Sequence, residues 1–81
     1  MHIVITGLSH AGFKKIVDSE IPVTLIQKYD EDGILFYDCH IIVNSKTRFS
    51  LNNINSRIVR LAIDDYVLYI HADEFLEMRF A

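Results

Sequence analysis

The sequence predicts an α+β domain, in which a small antiparallel β-sheet of about five or six strands has one short helix packed on one face. Three observations support this prediction. Short β-branched and aromatic runs recur along the chain, turn-forming residues separate them, and only one segment has apolar residues at helical spacing. With 81 residues, the chain is expected to form one domain spanning residues 1–81.

The N-terminal part is predicted to form a strand followed by the helix. Residues 2–6 are a β-branched run, HIVIT, of the kind that forms strands. Residues 9–19 then place apolar side chains at helical spacing, and Ser9 stands before them as the N-cap. Pro22 closes this segment, because the residue before a proline prefers extended backbone.

The middle of the chain is predicted to be a β-hairpin. Residues 23–29 and 34–43 are its strands, and residues 30–33 form the turn, with Gly33 at the position that needs a positive φ. The second strand is substantially apolar on both of its faces. It is therefore expected to be a central strand that is covered on both sides.

The C-terminal half is predicted to contain a connector and further strands. The basic, asparagine-rich residues 44–57 are interpreted as the connector. Strands are predicted over residues 57–63 and 66–71, with the two aspartates between them as the turn. Residues 75–80 alternate in polarity, which favours a third strand that completes a meander, although a helix fits the same tail.

The composition favours association with a protein partner. Hydrophobic residues make up 51% of the chain and charged residues 23%. A chain of this size buries only about 60–65% of its unfolded surface, so it cannot enclose so many large apolar side chains by itself. Some are expected to be exposed or to be paired across an interface with a second copy.

The cysteine count and the short length of the apolar runs predict a cytoplasmic protein. The single cysteine, Cys39, excludes an internal disulfide and is typical of a reducing compartment. The short apolar run after Met1 is not a signal peptide, and no apolar stretch approaches the roughly 18 residues of a membrane helix. We therefore expect no membrane association.

The charges are distributed in blocks along the chain. The net charge is −3, yet residues 44–63 contain four cations and no acid, between acidic segments at residues 29–43 and 64–81. Two explanations remain open. The basic block pairs with the acidic ones, within the fold or across a dimer, or it binds an anionic ligand.

The residues that carry chemistry do not form a recognisable catalytic or metal-binding motif. Cys39 and His40 are adjacent on a strand and so point to opposite faces, and the other histidines lack metal-ligand spacing. The paired carboxylates fall in predicted turns, and no glycine-rich phosphate loop is present. We therefore expect no enzyme activity, no cofactor and no metal.

A nucleic-acid-binding protein is the first alternative function. RNA or single-stranded nucleic acid would bind through residues 44–60, whose cations and amides suit phosphates and base edges. The net negative charge of the chain opposes this function, because it repels the phosphate backbone. The candidate partner-binding residues, for a protein or a nucleic acid, are Lys46, Arg48, Phe49, Asn52, Asn53, Arg57 and Arg60.

The function that the sequence favours is that of a small, non-catalytic protein-binding module, such as an adaptor, an inhibitor or a regulatory subunit. Apolar and aromatic surface would supply the binding energy, and the charge blocks would set the register. A homodimer is expected, with Leu76, Met78 and Phe80 at the dimer edge. A small enzyme or metal-binding protein is the second alternative.

Overall fold

The computed structural model describes residues 1–81 and confirms the α+β class. It contains seven strands, one α-helix and one short 3₁₀ turn. In chain order these are β1 (His2–Leu8), α1 (His10–Asp18), β2 (Thr24–Tyr29), β3 (Leu35–Ile42), β4 (Phe49–Ile54), β5 (Ile58–Ile63), β6 (Tyr66–His71), the 3₁₀ turn (Ala72–Glu74) and β7 (Glu77–Phe80).

The strands form two antiparallel sheets, so the prediction of a single sheet of five or six strands is matched only in part. The four-stranded sheet has the order β2-β3-β1-β7, and the three-stranded sheet has the order β4-β5-β6. The sequence pattern identifies strands, but it does not say which edges pair. With two layers, each sheet buries its apolar face against the other.

The core lies between the inner faces of the two sheets. Ile3, Ile5 and Ile41 of the larger sheet and Leu61 and Ile70 of the smaller one are almost completely buried in one continuous cluster. The helix α1 contacts β1 and β3 of the larger sheet and β6 of the smaller one. It therefore closes one side of the sandwich, with Ile16 buried beneath it.

The helix begins and ends where the sequence predicts. Ser9 is extended, and its Oγ accepts a hydrogen bond from the Gly12 N–H at 3.2 Å, as expected of an N-cap. At the other end, the Ser19 N–H donates to the Lys15 carbonyl, and Glu20 then reverses the chain with a φ of 62°. These caps satisfy backbone groups that a helix end leaves free.

The β2–β3 hairpin is confirmed. The Asp30 carboxylate accepts hydrogen bonds from the N–H groups of Asp32 and Ile34, and Gly33 has a φ of 77°. Strand β3 is central in its sheet, but the prediction that both of its faces are covered is wrong. Only the inner face of the larger sheet packs against the other sheet, and Ile42 on its outer face is 66% exposed.

The interpretation of residues 44–57 as a connector is also wrong. Six of them form β4, which pairs with β5 along its whole length, with Leu51 opposite Leu61. Its two asparagines are tolerated because β4 is an edge strand in which Asn52, on the outer face, and Asn53, on the inner face, are both exposed. The left-handed geometry expected of this stretch is confined to the reversal at Asn55 and Ser56, whose φ angles are 58° and 55°.

The C-terminal tail contains a strand, but the predicted meander is wrong. After β6, the 3₁₀ turn carries the chain across to the other sheet, where the Leu76 N–H donates to the Thr6 carbonyl at 2.9 Å. Strand β7 then pairs with β1, with Ile5 opposite Met78. A meander would have placed this apolar edge beside β6, which α1 contacts instead.

Candidate functional site

The side of the sandwich at β4 and β7 is open and forms a cleft. Strand β4 is one edge of the smaller sheet and β7 is one edge of the larger sheet. Their inner faces approach each other at Phe49 and Phe80, whose ring centroids are 6.3 Å apart. We call this the β4–β7 cleft; it has a volume of about 290 Å³ and is lined by Leu51, Asn53, Val59, Phe75, Leu76, Glu77, Met78 and Phe80.

Strand β7 presents free backbone groups along the border of this cleft. His2 and Ala81 exchange both of their backbone hydrogen bonds, at 2.8 and 2.9 Å. In an antiparallel pair, alternate residues direct their N–H and C=O groups to the neighbouring strand. The groups of Arg79 therefore point to β1, and those of Met78 and Phe80 point to the open edge.

Strand β4 presents a second row of free backbone groups on the other border. The Asp64 N–H donates to the Arg48 carbonyl at 2.8 Å. The backbone N–H and C=O groups of the even-numbered residues of β4 are therefore directed to β5. The backbone groups of Leu51 and Asn53 point away from β5. The cleft is thus flanked by two open strand edges, each able to accept another strand.

Apolar side chains at the cleft are exposed to solvent. Leu76 is 86% exposed, the highest value of any large apolar side chain in the chain, and Phe80 is 49% exposed. Leu51, Phe75 and Met78 are half-buried beside them. Clustered exposed apolar groups are uncommon on small monomers and are typical of interaction sites.

A second exposed apolar region lies at the tip of the β2–β3 hairpin. Tyr29 and Ile34 are 64% and 63% exposed there, next to the acidic turn. These side chains do not line any cleft with β4 or β7. Because it also combines concavity with free backbone groups, the β4–β7 cleft is the stronger candidate.

Comparisons with protein-family models, with curated proteins and with solved structures find no match to this chain. Function is therefore inferred from the geometry. The β4–β7 cleft combines apolar side chains with unpaired strand edges, which are the features that bind extended protein segments.

The structure separates the candidate cations of residues 44–60. Arg48 pairs with Asp65 at 3.0 Å, and its N–H donates to the Asp64 carboxylate. Lys46 lies beside it in an exposed turn. Arg57 lies beyond the opposite end of β4, roughly 20 Å away at the usual strand rise. They do not form one basic patch.

The other candidate partner-binding residues divide between two faces of the smaller sheet. Asn52 and Arg60 are opposite each other on the outer face, where the Arg60 Nε–H donates to the Tyr69 hydroxyl at 3.3 Å. Phe49 and Asn53 are on the inner side, toward the cleft.

The residues predicted for the dimer edge all line the cleft. Leu76, Met78 and Phe80 lie together there, next to Leu51 and Phe75. Leu51 and Phe75 are not among the site residues predicted from the sequence. Leu51 lies in the supposed connector, where apolar Phe49 and Leu51 alternate with polar Ser50 and Asn52. This alternation was the signal that could have identified Leu51 as an inner-face strand residue.

The buried carboxylates are engaged in structural contacts. Asp38 accepts hydrogen bonds from Lys28 at 2.5 Å and from the Gly7 N–H at 3.2 Å. Burial alone would raise the pKa of Asp38, but these two donors outweigh burial and hold the pKa below its ordinary value of 3.8. Its role is to fix the backbone at Gly7, next to Leu76 of the cleft.

The single thiol is buried, and the potential metal ligands are dispersed. Burial raises the pKa of the Cys39 thiol to about 12, so the thiolate needed for nucleophilic attack is not populated near neutral pH. No three His, Cys, Asp or Glu side chains are grouped as metal ligands. No helix has the length and apolar character needed to span a membrane.

Proposed function

We propose that the chain is a non-catalytic protein-binding module, of the adaptor, inhibitor or regulatory-subunit type, and that its partner binds in the β4–β7 cleft. The observation that carries this proposal is the coincidence of exposed apolar side chains with two open strand edges. Neither feature alone would distinguish a binding surface from an ordinary sheet edge.

The expected mode of binding is the addition of a strand. An extended segment beside β7 would hydrogen-bond to the backbone of Met78 and Phe80. Its inward side chains would then cover Leu76 and Phe80, whose apolar surface is otherwise left in water. Main-chain hydrogen bonds would supply affinity and the apolar contacts would supply specificity.

A capture experiment with matched variants tests the proposal. Tagged wild-type chain, Leu76→Asp and Ile42→Asp would each be incubated with extract of the cell from which the protein comes. Both substitutions place a charge at an exposed apolar position, but Ile42 is on the outer face of the larger sheet, away from the cleft. Thermal melting would establish that both variants are folded.

The proposal requires a near-stoichiometric partner that Ile42→Asp retains and Leu76→Asp loses. Such a result would locate binding at the cleft, because Ile42→Asp and Leu76→Asp make the same change in charge and hydrophobicity. Equal capture by all three proteins, or capture by none, would contradict the proposal.

One observation favours nucleic-acid binding as a second candidate function. The outer face of the smaller sheet presents Asn52, Arg60 and Tyr69 side by side, and such a set can contact phosphates and stack on bases. A labelled single-stranded oligonucleotide would bind at low salt and be released as salt rises. Arg60→Ala would weaken binding, whereas Lys14→Ala, which also removes one charge, would not.

A further inference from the structure

We infer that a second copy of this chain binds the β7 edge, by antiparallel pairing of the two β7 strands with Met78 opposite Met78. The inference rests on the proposed function, because it names the partner of the same surface. It follows from the backbone directions, the charges and the apolar side chains of residues 76–80, taken in turn.

The backbone limits the registers that two β7 strands can adopt. Directly opposed residues of an antiparallel pair point to the same face, so inner-face residues must meet inner-face residues. The hydrogen bonds must come from Met78 and Phe80, whose groups face the open edge. Symmetric pairing can therefore be centred on residue 77, 78, 79 or 80.

The charges select one of these registers. Centring the pair on Glu77 or on Arg79 places two identical charges directly opposite each other, which is destabilising. Centring it on Phe80 brings only Phe80 itself opposite a residue of β7, because the strand spans Glu77–Phe80. Centring it on Met78 places each Glu77 opposite the Arg79 of the second copy, and so forms two opposite-charge pairs.

Both charged residues are available for this pairing. Glu77 and Arg79 are exposed, and neither forms an ion pair within the chain, whose three salt bridges involve other residues. The residues opposite them on β1 are Thr6 and Val4, neither of which carries a charge. A partner strand that supplies the opposite sign at both positions is thus complementary to β7, and β7 itself is such a strand.

The apolar side chains fit the same register. It places Leu76 opposite the Phe80 of the second copy, on both sides of the central methionine pair. The two most exposed apolar side chains of the cleft would then cover each other. The two larger sheets would join into one sheet of eight strands, and the open β7 edges would disappear.

Charge exchange at Glu77 and Arg79 tests the pairing and its register. Sedimentation of the full chain would measure the dissociation constant of the dimer. Glu77→Arg and Arg79→Glu should each raise that constant about tenfold, because two attractive pairs become two repulsive ones. The double variant E77R/R79E should restore the wild-type value, because the pairs are attractive again with their signs exchanged.

Mixing the two single variants gives an independent readout. One carries two cations and the other two anions at these positions, so an equimolar mixture should form a heterodimer with near wild-type affinity. Circular dichroism of the monomers would establish that each variant is folded. A wild-type chain that sediments as a 9.4 kDa monomer, a dimer indifferent to both reversals, or a mixture that does not associate would each overturn the inference.

The capture and sedimentation experiments distinguish failure of the proposed function from failure of the dimer inference. If the wild-type chain is monomeric but Leu76→Asp still abolishes capture of another protein, the cleft binds a different partner and only the dimer inference fails. If the chain dimerises in the Met78 register but captures nothing else, the inference holds and the proposal of a separate protein partner fails.

Discussion

At the scale of single residues, Gly12 shows how closely the helix approaches the 3₁₀ turn. A Cβ at this position would lie 2.8 Å from the Glu74 carbonyl oxygen and 2.9 Å from Leu8 Cδ2. Glycine is normally unfavourable within a helix, by about 1 kcal/mol relative to alanine. Here the close packing of backbone against backbone requires it.

Gly12→Ala should therefore destabilise the protein, although alanine is the better helix former. The expected loss is about 1–3 kcal/mol, because the overlap with Glu74 cannot be relieved by turning a side chain. Urea unfolding would measure it. Lys14→Ala, at an exposed position of the same helix, should change the free energy of unfolding by less than about 0.5 kcal/mol. Equal effects of the two substitutions would contradict this explanation.

Glu74 also links the 3₁₀ turn to the helix, through Lys15. The Lys15 Nζ donates to Glu74 Oε1 at 2.6 Å, and the His71 N–H donates to the same oxygen at 2.8 Å. Burial alone would raise the pKa of Glu74, but the two donors outweigh it and hold the pKa below its ordinary value of 4.5. Folding therefore favours the ionised form.

The sign of this shift predicts a loss of stability in acid. Because the folded-state pKa lies below the unfolded-state value, the stabilisation is complete above pH 4.5 and is lost as the pH falls through the folded-state pKa. Lys15→Met should cost about 1–2 kcal/mol at pH 7 and flatten the acid limb of the stability profile. Thermal melts from pH 7 to pH 3 would measure both effects. An unchanged acid limb would contradict the assignment.

Some residue-level features were predictable from the sequence and others were not. The local sequence is enough to recognise the roles of Ser9, Gly33 and the aspartate turn, because capping and positive φ depend on near neighbours. The need for glycine at position 12 depends on residue 74, which lies far along the chain, and no local pattern reveals it.

At the scale of elements, β4 is the strand that was not predicted from the sequence. Its asparagines resemble turn residues, yet Asn52 on the outer face and Asn53 at the open cleft are both exposed, so this edge strand tolerates them. The neighbour of β7 in the sheet was not predicted, for a different reason. Its alternation identifies a strand, but the choice of β1 over β6 as its neighbour is settled by the three-dimensional packing.

The β4–β5 reversal can be stabilised by one substitution. Ser56 has a φ of 55°, a left-handed conformation that costs non-glycine residues roughly 1–2 kcal/mol. Ser56→Gly should increase the free energy of unfolding by about 0.5–1 kcal/mol, after the entropy of glycine in the unfolded chain is subtracted.

Thermal unfolding would measure this gain, with Ser50→Gly as the control. Ser50 lies within β4 in extended conformation, where glycine should destabilise instead. A decrease in stability for both variants would show that the conformation at Ser56 carries no such cost.

At the scale of the whole molecule, the two sheets and the helix enclose a single cysteine. Cys39 is fully buried on the inner face of β3, and burial raises its pKa to about 12. Modification by a thiol reagent at pH 8 should therefore be slow and should follow opening of the sandwich. The rate should rise steeply with urea, in step with unfolding measured by circular dichroism. Fast labelling of the native protein would contradict this arrangement of layers.

The long-range pairing of β7 has a kinetic consequence. The hairpins β2–β3, β4–β5 and β5–β6 close over short loops, whereas β7 joins β1 from the opposite end of the sequence, with Ile3 opposite Phe80. Contacts between distant residues incur a larger loop-closure entropy and tend to form late in folding. Strand β7 is then among the last to dock, and the β4–β7 cleft is complete only once the rest of the fold has formed.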